Sequence, residues 1–244
     1  EANGLVIDSV AVNVNRVDAA AGSSVVSDTA QSDVATAAGS VLLTSTAGDI
    51  TINDGVNADG LGVTAIGGVI LVDATAGGIT MNSDVSGSGD VRVTAANDIS
   101  LASAADVISG GTADVSAGGS VTMADGAQVQ TSGGDIRVNA GMNVILGGLS
   151  AATGNVSVIA GTGSITDGGD TDLDIAAAGA RLEAANDIGT TAAALDISVD
   201  TLSAMSAAGD ISIVETDTLV IDSVAVNVNR VDAAAGSSVV SDTA

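Results

Sequence analysis

The side chains best equipped for chemistry in this sequence are carboxylates. Asp170, Asp172 and Asp174 alternate with Thr171, Leu173 and Ile175, and Asp167 lies just before them across the turn at Gly168–Gly169. In an extended strand the three alternating carboxylates share one outward face, and hard oxygen ligands at short spacing suit Ca2+. The run departs from an EF-hand loop in two places: Ile175 stands where Gly is needed, and Arg181 where Glu is needed. GGDTDLDIA also carries Thr171 and Leu173 at the Gly and Asp positions of the calcium-binding nonapeptide. Asp167, Asp170, Asp172 and Asp174 therefore read as a solvated acidic face, with Ca2+ as the alternative. No catalytic, cofactor-binding or metal residue is assigned.

Other chemistry has little to work with. The sequence has no His and no Cys, which removes the usual general bases, nucleophiles and zinc ligands. A glycoside-cleaving site would need an acid–base carboxylate pair in a groove, and nothing singles out a pair among the many Asp. A non-enzymatic role is expected. The five cations are Arg16, Arg92, Arg137, Arg181 and Arg230. Arg92, Arg137 and Arg181 sit between apolar neighbours in strand-like phrases, so they should point outward and offset nearby Asp. With 30 acidic residues and a net charge of −25, nucleic acid and anionic lipid are disfavoured as partners, and no aromatic ring is present for base stacking. Residues 138–166 carry no formal charge but are broken by Gly, Asn, Ser and Thr, so no membrane-spanning segment is expected.

The framework that positions these groups is a repeat. Residues 5–30 and 219–244 are identical letter for letter, at an offset of 219 − 5 = 214 residues. The chain thus reads as one 214-residue period plus the start of the next, a window on a tandem array in which no signal peptide would be visible. Residues 1–30 and 215–244 are then equivalent parts of successive copies, and 1–244 is expected to form one continuous unit.

Within the period a shorter phrase recurs: a Gly or Ala, a small or acidic residue, then an apolar residue, a polar one and another apolar one. Its anchors are Ile50, Ile79, Ile99, Val121, Val144, Ile165, Ile188 and Ile211, spaced 20 to 29 residues apart. A second series, GGVILV (67–72), SGDVRV (88–93), GGDIRV (133–138), TGNVSV (153–158) and LDISV (195–199), lies between them. Two short strands per coil of roughly 22 residues, entered through Gly turns, predict an all-β parallel β-solenoid of nine or ten coils. Composition agrees: 46% of residues are apolar, none is aromatic and none is Pro, which suits a narrow core of Val, Ile, Leu and Ala. AAAGARLEAAN (176–186) is read as a turn followed by a strand through Leu182, although a short helix competes.

Over about 38–213 the alternation of GGxI/V-x-V with AxxDI-x-L resembles the repeat region of filamentous-haemagglutinin-type adhesins and giant bacterial surface proteins. That resemblance implies a right-handed parallel β-helix, secreted to the cell surface and working as a stalk or fibre. The Asn-Pro secretion motif of that family does not occur here, and the few aromatics usual in adhesin stems are missing. The expected role is an extracellular structural repeat, an adhesin shaft or self-standing filament. A surface- or glycan-binding module and a surface-layer lattice protein are the alternatives. Partners would be further copies meeting end to end, or a host, neighbour-cell or glycan surface. Finally, Asp49, Asp98, Asp187 and Asp210 each precede an anchor, so a column of like charges is expected along one edge, interrupted by Ser120, Asn143 and Ser164.

Overall fold

The computed structural model describes residues 3–169 and 172–243 and contains no helix among them. It is a parallel β-solenoid of about seven turns spaced about 22 residues apart. Each turn carries three short strands, not the two read from the phrases. One face stacks Leu5–Ile7, Ile50–Ile52, Ile79–Met81, Ile99–Leu101, Val121–Met123, Val144–Leu146 and Ile165–Asp167. A second stacks Val34–Thr36, Leu61–Ala65, Asp84–Gly87, Val107–Ser109, Gln128–Thr131 and Gly148–Ser150. The third stacks Val41–Ser45, Ile70–Ala74, Val91–Ala95, Ala113–Ala117, Ile136–Ala140 and Asn155–Ala160.

The recurring anchors form a single file. Leu5, Ile50, Ile79, Ile99, Val121, Val144, Ile165, Ile188 and Ile211 pair rung to rung in unbroken register. The third face builds a similar file of small residues, Ser45, Ala74, Ala95, Ala117, Ala140, Ala160, Ala184 and Ser206. Like residues stack because parallel rungs about 4.8 Å apart place the same inward position of each turn in contact. The core is narrow, so every inward side chain from Ile50 to Ile165 is enclosed. Each buried Val, Ile or Leu contributes about 1.5–3 kcal/mol, and no single large residue dominates.

The corners explain much of the glycine. A Cβ on Gly118 would meet the Ala96 carbonyl oxygen at 2.1 Å, and one on Gly141 would meet that of Gly118 at 2.2 Å. At these corners Gly is required by close approach of the preceding turn, rather than by an unusual φ. Other corners are tied by hydroxyls: Ser45 Oγ donates to the Gly48 carbonyl at 2.7 Å, and Ser206 Oγ to that of Gly209 at 2.9 Å.

Toward the C-terminus the corner between the second and third faces opens out. Ile175–Ala184 and Leu195–Ser206 are single long strands running through both. AAAGARLEAAN is therefore strand throughout to Ala184, with neither the helix nor the turn.

Two segments leave the ladder. Asn13–Val17 pairs antiparallel with Ser23–Ser27, and Ala225–Val231 with Ser237–Thr243. These repeated residues form hairpins instead of rungs, and the solenoid has about seven turns, not nine or ten.

Candidate interaction surface

The outward side chains of the third face form a second file, Leu42, Leu71, Arg92, Asp114, Arg137, Ser157, Arg181 and Ser203. The strand period of two points these residues away from the core. They do not all reach water. The hairpin Ala225–Thr243 lies across the rungs and covers the middle of the file.

Beneath it, Asp114 is fully enclosed and faces three guanidinium groups. Arg230 Nε lies 3.1 Å from Asp114 Oδ2, Arg137 Nη1 lies 3.3 Å from Oδ1, and Arg92 Nε lies 3.5 Å from Oδ2. Asp242 from the hairpin's second strand joins them, accepting from Arg137 Nε at 2.9 Å and from Ser157 Oγ at 2.8 Å. Burial pushes the Arg92 guanidinium below its ordinary pKa, with Asp114 opposing that effect. A charge buried this far is tolerated only because several partners surround it.

Alternate residues of the hairpin's first strand step from rung to rung. Asn155 Nδ2 donates to the Ala225 carbonyl at 3.0 Å, the Asn227 N–H donates to Asp135 Oδ2, and the Asn229 N–H to Thr112 Oγ1 at 2.8 Å. Arg92 Nη1 then donates to the Val231 carbonyl at 3.0 Å. Val224, Val226 and Val228 fill the space between, with Val240 packed behind them. Arg92 and Arg137 thus point outward from the solenoid as expected but are covered by a second copy of the repeated sequence. Arg181 sits beyond the hairpin and pairs with Glu183.

The acidic edge column is built differently from the expectation. The Gly78 N–H donates to Asp49 Oδ1 at 2.8 Å, the Ser120 N–H to Asp98 Oδ1 at 2.7 Å, and the Asp210 N–H to Asp187 Oδ1 at 2.9 Å. Ser120, Asn143 and Ser164 do not interrupt this series. Each accepts the N–H of the next turn through its own side-chain oxygen. The shared requirement is an acceptor at the corner, which Asp, Asn and Ser all meet.

A parallel corner holds Asp84 and Asp106, with the Asp106 N–H donating to Asp84 Oδ1 and the Gln128 N–H to Asp106 Oδ1. Burial raises the pKa of both carboxyls, and at Asp84 the nearby charges of Asp106 and Asp54 raise it further. A folded pKa above the unfolded value gives a contribution fully present below the unfolded pKa of 3.8 and lost as pH rises through the folded value. The thermal midpoint is therefore predicted to rise as pH falls from about 7 toward about 4. Asp84→Asn keeps the acceptor for the Asp106 N–H and removes the charge, so it should raise the midpoint at neutral pH and flatten the profile. A midpoint that falls over this range in the parent chain would reject the assignment.

Of the carboxylates first singled out, Asp172 and Asp174 do not lie in a strand and share no outward strand face. The strand begins only at Ile175, Asp174 is buried, and its Oδ2 accepts the Asp196 N–H at 2.8 Å as another inter-turn corner. Asp167 Oδ1 accepts the Gly169 N–H at 2.7 Å within its own turn, and Asp170 lies outside the described residues. Among the described residues no three carboxylates gather around one point. The groove lined by Arg181, Leu182, Glu183, Ser203, Met205 and Thr243, at the hairpin's outer end, carries no ring for a sugar face.

The chain matches no family model, no curated protein and no solved structure.

Proposed function

We propose that this chain is a structural repeat of an extracellular β-solenoid fibre on a bacterial surface, an adhesin shaft or a self-standing filament. The observation that carries the reading is the 26-residue identity between residues 5–30 and 219–244. A sequence that returns to its own beginning is suited to making length, and a compact catalyst has no use for such a period. The uniform core supports the same reading, since a narrow stack can be extended without changing its cross-section. In this reading the chain is not an enzyme and needs no cofactor.

Both ends of the ladder support continuation. Val34–Thr36 and Val41–Ser45 each pair on one side only, as do Ile213–Glu215 and Val220–Ile221 at the far end. Ile211, Val214 and Ile221 are exposed there. Unpaired edges with apolar side chains promote strand addition. At high concentration the chain is predicted to assemble end to end into filaments one solenoid wide, seen by negative-stain electron microscopy and sedimentation. Short monomeric rods at all concentrations would reject end-to-end assembly. Planar sheets would favour a surface-layer lattice, and selective retention on a glycan array would favour a binding module.

A further inference from the structure

We propose that the N-terminal hairpin, Asn13–Val17 with Ser23–Ser27, is a docking element for the Asp114-centred face of a second copy of this chain. The two hairpins have one sequence and one internal geometry. In the first, the Asp18 N–H donates to the Gly22 carbonyl at 2.9 Å and Ala21 takes φ 62°; in the second, the Asp232 N–H donates to that of Gly236 at 2.8 Å and Ala235 takes φ 59°. Asp18 Oδ1 caps the first turn through the Ala20 and Gly22 N–H groups, as Asp232 Oδ1 caps the second through those of Ala234 and Gly236. The fold of this element is therefore locally encoded and does not depend on docking.

Only the surroundings differ. Val224, Val226, Val228 and Val231 are 4%, 1%, 0% and 0% exposed, while their counterparts Val10, Val12, Val14 and Val17 are 66%, 48%, 55% and 70% exposed. Arg230 reaches Asp114, whereas its counterpart Arg16 has no ion pair among the described residues. Four exposed valines and a free guanidinium in one short element form an apolar patch with a specific charge, and such patches mark interaction sites. The chemistry of the receptor is already displayed: it is the face that the identical copy occupies. Seated there, Arg16 takes the place of Arg230, Asp28 that of Asp242, and the Asn13 and Asn15 N–H groups those of Asn227 and Asn229.

The first hairpin does not reach its own chain's face. Its base is closed by the Val10–Gln31 bridge and the Ser9–Ser32 hydroxyl contact, which hold it at the end of the stack, and Asp114 lies on the fourth rung. That face is in any case filled by Ala225–Thr243, whose tethering gives it a large concentration advantage over any free competitor. Exchange between copies therefore requires release of the resident hairpin. In a tandem array the second copy is the preceding period, on whose face this same segment docks as residues 219–244 do here; between separate molecules, docking requires the exchange just described.

The test uses the full chain and the absence of native cysteine. Asn15→Cys and Thr112→Cys are combined with Val228→Asp, which places a charge in the resident hairpin's buried seat; Arg230→Glu is the milder release. Amide protection of the anchor rungs certifies either body. On oxidation, a disulfide between positions 15 and 112 of different chains is expected, located by peptide mapping, at roughly tenfold the level seen with the resident hairpin intact. Adding Val14→Asp should abolish it. The same linkage within one chain, or monomers by sedimentation with no linkage in either released variant, overturns the proposal.

Discussion

Ile99→Asp is expected to destroy the middle of the stack. Ile99 is fully enclosed between Ile79 on one rung and Val121 on the next. The substitution forfeits about 2–3 kcal/mol of apolar burial. It also strands a carboxylate without a hydrogen-bonding partner, at a cost of a further few kcal/mol. In a fold where each turn touches only its neighbours, the damage should spread through adjacent rungs and divide the solenoid in two. Hydrogen exchange should show protection lost from about residue 79 to residue 123, together with a large fall in the thermal midpoint. Ile99→Val, costing about 1 kcal/mol, is the control. An Asp variant no worse than the Val variant would mean that this file is not the core.

The second large effect is expected at Asp114. Asp114→Asn leaves Arg92, Arg137 and Arg230 facing one another, with Asp242 beside Arg137 and Asp73 near Arg92 as remaining carboxylates. Removing one partner from a buried ionic group commonly costs about 3–5 kcal/mol. Here the chain has an escape, because the hairpin can lift away and let water reach the guanidinium groups. The loss should therefore appear as undocking rather than global unfolding. Amides of Ala225–Val231 should exchange quickly, and protease should cut near Asp222, while Ala113–Ala117 stays protected. Retained protection across the hairpin would show that the charge cluster does not hold it.

Much of this fold can be read in the residues. The anchors from Ile50 to Ile211 form one ladder because a strongly β-branched residue recurs at the same point of every turn. The second face is faint in the sequence. Val107–Ser109 and Gly148–Ser150 are three residues each, with a single large inward side chain apiece, too short to show alternation. The rung Ala113–Ala117 is hidden for a related reason: it starts with Ala where its neighbours have Val or Ile, so its spacing does not set Asp114 in file with Arg92 and Arg137. The corner acceptors looked like a charge column because one-letter codes separate Asp, Asn and Ser, whereas the backbone N–H asks only for an oxygen. The docked hairpin could not be found by periodicity at all. Val10 and Val224 have the same neighbours in sequence, and only the position of the third face decides which is buried.

The order of charges under that hairpin also acts as a gauge. The inward files repeat so closely that a stack misassembled by one whole turn would still set Ala on Ala and Ile on Ile, leaving the core almost indifferent to the error. The clasp is not indifferent. Along the outward file Asp114 is flanked by Arg92 on the preceding rung and Arg137 on the following one. A slip of one turn in either direction would bring a guanidinium, not a carboxylate, opposite Arg230. Like charges at that separation, shielded from water, repel strongly. The hairpin thus closes only over correctly counted turns, and a fold whose core cannot keep count has its proofreading on the outside.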